Sequence, residues 1–128
     1  MIERRLLQQV LLVLSLSPLG IGGLGMIRGA EGLGAASTNL DSHLRYLSGI
    51  FFGLGLALLS CIPRIETMTV RFRWIAALVF IGGLARLGGV LTYDTPGRGH
   101  VVGLGLELVV TPLLVVWQAR LARAAGRG

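Results

Sequence analysis

The chain has 128 residues, 53% hydrophobic and only 14% charged, with a formal net charge of +6 at pH 7. A soluble domain carries about 25% charged residues, and apolar residues gathered in runs of about 20 exclude that class in favour of one membrane-embedded unit. All twelve basic residues are arginines lying mostly between or beyond the apolar runs, without the aromatic interleaving of a nucleic-acid groove, so the charge orients the chain in a bilayer and no nucleic-acid partner is expected.

Four apolar runs follow in chain order, at residues 6–27, 44–62, 72–91 and 101–119. Each offers roughly 20 residues, enough for a helix to cross about 30 Å of hydrocarbon. A backbone in lipid must satisfy its own hydrogen bonds, so the runs are expected to be helices and the fold all-α: an integral-membrane four-helix bundle forming a single domain. Pro63 closes the second run, and Thr95, Pro96 and Gly97 turn the chain between the third and fourth. Pro18 and Pro112 fall inside runs one and four, where proline kinks helices. The basic start and Gly34-Ala35-Ala36 resemble a secretory leader, but the first run is too long for one, and a retained anchor is expected. The segment 28–43 is expected to be an outer connector.

Arginine placement sets the sidedness. Arg4, Arg5, Arg64, Arg71, Arg73, Arg120, Arg123 and Arg127 fall on one side; Arg28, Arg45 and Arg98 fall on the other, balanced by Glu31, Asp41 and Asp94. The positive-inside rule places both termini in the cytoplasm, with the bacterial inner membrane as the expected location. Trp74, Trp117, Tyr46 and Tyr93 near the run ends suit interfacial anchoring.

The chain repeats itself. Ile21-Gly-Gly-Leu-Gly-Met-Ile-Arg-Gly reads against Ile81-Gly-Gly-Leu-Ala-Arg-Leu-Gly-Gly, and Gly53-Leu-Gly-Leu-Ala-Leu-Leu against Gly103-Leu-Gly-Leu-Glu-Leu-Val. This suggests two repeated helical hairpins. Met26 and Ala57 stand in the first hairpin where the second has Arg86 and Glu107. Those two charges interrupt runs three and four symmetrically about the turn. An antiparallel hairpin would bring them to one depth, where an ion pair offsets part of its desolvation. Gly82, Gly83 and Gly89 flank Arg86 at helical spacing, Gly103 lies one turn before Glu107, and Gly49, Gly53 and Ala57 form a comparable stripe on run two. Small residues of this kind let backbones approach. His43, Arg45, Tyr46, Tyr93, Asp94 and His100 are the further candidates for an outer-side site around the pair.

Other signals are weaker. Gly20-Ile-Gly-Gly-Leu-Gly25 matches a dinucleotide-binding pattern but sits in an apolar run without a βαβ context, so helix packing is the expectation. Cys61, the single cysteine, excludes an internal disulfide and is expected to pack as a small apolar residue. No metal site and no cofactor are expected; haem or pigment ligation by His43 or His100 is the minor alternative. No nucleophile–base arrangement or phosphate loop supports an enzyme, so no catalytic residue is assigned.

Tyr46-Leu-Ser-Gly-Ile-Phe-Phe-Gly-Leu-Gly-Leu, Gly82-Gly-Leu-Ala-Arg-Leu, and Glu107 followed by Pro112 and Trp117 resemble the DUF4345 family of small bacterial membrane proteins. The resemblance covers nearly the whole chain. It implies a four-span inner-membrane protein and no particular activity. A fainter similarity to DoxX-type bundles implies a redox-linked role, for which a lone Cys61 gives no dithiol support. Small multidrug transporters resemble the chain in size, but their working carboxylate is in the first span, and here that span has no acidic residue after Glu3. The reading is therefore a non-enzymatic accessory or scaffold subunit, packing in the lipid bilayer against a membrane-protein partner or a second copy. The alternative is small-molecule or lipid binding or transport at Arg86 and Glu107, and a redox-linked membrane protein comes third.

Overall fold

The computed structural model describes residues 1–34, 37–93 and 96–126. Asp94 and Thr95, the Ala35-Ala36 pair, Arg127 and Gly128 lie outside them. The described residues are helical and contain no strand: α1 (Ile2–Arg28), α2 (Thr38–Cys61), a 3-10 turn (Ile62–Arg64), α3 (Thr69–Thr92), α4 (Arg98–Gly105), a π-helical turn (Leu106–Val110) and α5 (Thr111–Ala125). Among the described residues four helical stretches are long and apolar enough to cross a membrane, the fourth being the α4–π–α5 run Arg98–Ala125. The protein is an all-α, multi-pass integral membrane protein. Leu12, Val13, Leu16, Ile81, Leu84 and Leu113 are exposed along these helices, the arrangement hydrocarbon favours and water does not.

The helices extend past the apolar runs. α2 begins at Thr38 rather than at residue 44 because Ser37 caps it: its hydroxyl accepts a 3.2 Å bond from the Leu40 N–H. α1 continues through Pro18, so the expected kink does not break it.

The chain divides into two compact units, Met1–Pro63 and Arg64–Gly128. In the first, α1 packs along α2 as a hairpin. Glycines set its spacing. A Cβ on Gly22 would lie 2.7 Å from the Phe52 nitrogen, one on Gly25 would run into the Ser48 side chain, and one on Gly55 would lie 2.9 Å from Leu19 Cγ. The glycine-rich pattern at 20–25 thus serves helix packing. Each helix also closes the other's C-terminus, where carbonyls lack intrahelical partners. Arg4 donates to the Pro63 carbonyl at 2.8 Å and Gln8 to that of Ile62 at 2.8 Å. At the opposite end, Arg45 donates through Nη1 to the carbonyls of Met26 (2.9 Å) and Ile27 (2.7 Å).

In the second unit α3 packs against α4, the π turn and α5. Phe72, Ile75 and Ala76 are buried on α3 and Leu114 on α5. Gln118, wholly buried, donates from Nε2 to the Ile65 carbonyl and to Thr69 Oγ1, both at 2.9 Å, tying the end of the fourth span to the start of α3.

Candidate functional site

The polar centre of the second unit is built from three side chains. Arg86 leaves α3 six residues before its end at Thr92, or about 9 Å along the axis. Its Nε donates to Glu107 Oε2 and its Nη2 to Oε1, both at 3.0 Å, a two-pronged pairing that suits the planar guanidinium. The side chains are 35% exposed for Arg86 and 15% for Glu107, so the carboxylate is the more enclosed partner. The third member is His100, in the first turn of α4, whose Nδ1 lies 2.9 Å from Arg86 Nη1. A guanidinium only donates, so Nδ1 accepts; the imidazole is then neutral and carries its proton on Nε2.

Local structure explains how these groups meet. A Cβ on Gly83 would lie 2.7 Å from Glu107 Cβ and 2.9 Å from Leu108 Cδ2, so α3 approaches the π turn only because residue 83 has none. Gly103 borders the guanidinium, at 3.8 Å from its built Cβ to Arg86 Cζ. Glu107 itself lies in the π turn. In a regular α-helix the Pro112 ring would press on the carbonyl four residues earlier, that of Leu108, and the wider turn at Leu106–Val110 relieves this. Thr111 backs the turn, its N–H bonding to the Leu106 carbonyl and its hydroxyl donating to the same oxygen at 2.9 Å. Proline inside the run suggested a kink; the result is a widened turn that carries the carboxylate.

The other candidates are placed differently. Arg45 is committed within the first unit. Besides its bonds to the Met26 and Ile27 carbonyls, its Nε pairs with Asp41 Oδ2 at 2.8 Å. Asp41 Oδ1 in turn accepts from the Ala30 N–H at 2.8 Å. Gly29, between these groups, has φ +56°, and a Cβ there would run into Asp41. The pair thus serves as a C-terminal cap for α1, placing a cation at the negative end of the helix dipole. Along the sequence Asp41 reads only as a balancing charge; its i,i+4 spacing to Arg45 is the available signal of this role. His43 and Tyr46 are exposed on α2, and Tyr93 is exposed at the end of α3. Asp94 lies outside the described residues.

The glycines also separate. Gly83 is closely packed, and Gly49 and Gly103 make ordinary contact, Gly49 with Met26 Cγ at 3.9 Å. A Cβ on Gly53, Gly82 or Gly89 would meet nothing within 4 Å. Among the described residues no group of three or more His, Cys, Asp or Glu side chains is placed to hold a metal ion, and Cys61 is buried.

Comparison with known proteins adds one relationship. No curated protein and no solved structure matches the chain. A family model described as a domain of unknown function, DUF4345, matches residues 6–118, and with that span covered, the chain belongs to the DUF4345 family.

Proposed function

We propose that this protein binds a small molecule or a lipid at Arg86, Glu107 and His100, inside the outer half of the bacterial inner membrane, with both termini cytoplasmic. The observation that carries the reading is His100. A charge pair that served only to join α3 to the fourth span is complete once Glu107 fills the Nε–Nη2 side of the guanidinium. A neutral histidine on the remaining nitrogen does nothing further for that pairing, and among the described residues nothing engages its own N–H or the rest of Arg86. The arginine distribution supports the orientation. The test is native mass spectrometry of protein extracted in mild detergent. A one-to-one small adduct is expected on the wild type and absent from a folded Arg86→Gln variant. A wild type that carries no adduct refutes the binding reading.

A second reading has its own observation. Gly82, Ala85 and Gly89 are exposed at helical spacing on α3, and neither glycine's Cβ would touch anything. A smooth strip of this kind suits a close helix–helix contact with another membrane protein or a second copy, as an accessory subunit makes. A stoichiometric protein partner in the same spectra supports it.

A further inference from the structure

The bonding inventory of the cluster specifies the ligand further, resting on the binding reading above. Arg86 has five N–H donors. Two go to Glu107 and one to His100 Nδ1. One N–H on Nη1 and one on Nη2 remain without partners among the described residues, and the Nε2–H of His100 joins them. Glu107, the acceptor of the group, has both oxygens engaged and is the less exposed member. The open edge therefore presents donors.

Charge narrows the choice. Arg86 and Glu107 cancel, and an imidazole that accepts from a guanidinium adds nothing, so the cluster is neutral. An anion joining it would leave a net negative charge within an apolar span, which is costly. A cation would face donors. Arg98, two residues before His100, lies off its helix face. We infer that the open edge of Arg86 and His100 takes an uncharged oxygen acceptor, the carbonyl of an ester, amide or ketone, supplied either by a membrane lipid or by a free neutral molecule.

The experiment places the full chain in nanodiscs of a diether phosphatidylcholine, which has no carbonyl of its own. Three probes are added separately, each ¹³C-labelled at the carbonyl carbon: a diester phosphatidylcholine, methyl decanoate and decanoate. Infrared spectra then follow the labelled band. One carbonyl per protein is expected at lowered wavenumber with an ester. A response to the diester lipid identifies a lipid source, and a response to methyl decanoate alone identifies a free ligand. In His100→Ala, which leaves the Arg86–Glu107 pair in place, ester binding should weaken about three- to tenfold, the worth of one hydrogen bond. The comparison of probes on the wild type stands even where that variant fails to fold. Binding of decanoate with no response to either ester overturns the neutral-acceptor inference while leaving the binding reading intact. So does a wild type that retains its native adduct yet ignores both esters. Loss of the native adduct as well removes the binding reading itself.

Discussion

Gly83 faces Glu107 so closely that a single added carbon at residue 83 would stand 2.7 Å from the glutamate Cβ. The approach of α3 to the π turn, and with it the reach of Arg86 to the carboxylate, depends on a missing side chain. Gly83→Ala should destabilise the protein by about 1–3 kcal/mol, the usual cost of overpacking. Gly82→Ala and Gly89→Ala meet open space and should be neutral or gain up to about 1 kcal/mol from helix propensity. Thermal unfolding in one detergent, with all three variants side by side, checks this. Equal behaviour of the three would refute the close approach.

The Arg86–Glu107 pair invites a double-mutant cycle. Breaking a fully buried pair by removing one partner costs about 3–5 kcal/mol. With Arg86 at 35% exposure, Arg86→Gln and Glu107→Gln should each cost less, about 2–3 kcal/mol. The double variant should recover part of the loss, because neither charge is then left alone. Strictly additive losses in an equilibrium unfolding assay would show that the two groups do not interact.

Arg45 closes the end of α1. Arg45→Gln should therefore speed hydrogen exchange at the last turn of α1 and at Ala30, whose N–H bonds to the Asp41 carboxylate that Arg45 holds. Gly29→Ala should loosen the same corner, since φ of +56° strains any residue with a Cβ and that Cβ would meet Asp41. Unchanged exchange at Ala30 and in the last turn of α1 in Arg45→Gln would contradict this assignment.

The tautomer of His100 can be read directly. Nitrogen NMR of ¹⁵N-histidine-labelled protein at neutral pH should show His100 with a proton on Nε2 and an unprotonated, hydrogen-bonded Nδ1. Arg86→Gln should change the Nδ1 signal and leave the exposed His43 alone. A protonated Nδ1 in the wild type would rule out the contact with Arg86.

Much of this architecture is legible along the chain. The four spans follow from run length and composition, because a helix in lipid needs little more than about 20 apolar residues. Their ends are harder to place, because caps such as Ser37 carry α2 beyond its apolar stretch. Arg86 and Glu107 stand out because charge is scarce in such runs. His100, Gly103 and Glu107 share i, i+3 and i+7 spacing, and that stripe links the histidine to the carboxylate by helical periodicity alone. Closely packed glycines and open ones look identical in sequence. Gly83 differs from Gly82 only in the direction it faces, which the neighbouring helix defines.

The sequence by itself determined residence in a membrane, the number of spans and which two charges lie within them, since these depend on local composition and on the cost of charge in hydrocarbon. Tertiary structure alone decided that Arg45 caps α1, that His100 takes an N–H of Arg86, and that Glu107 is carried on a π turn. The first two depend on the register of one helix against another, and the third on the Pro112 ring within the fourth span. Register is set by a few glycine contacts and a proline ring, and composition does not record it.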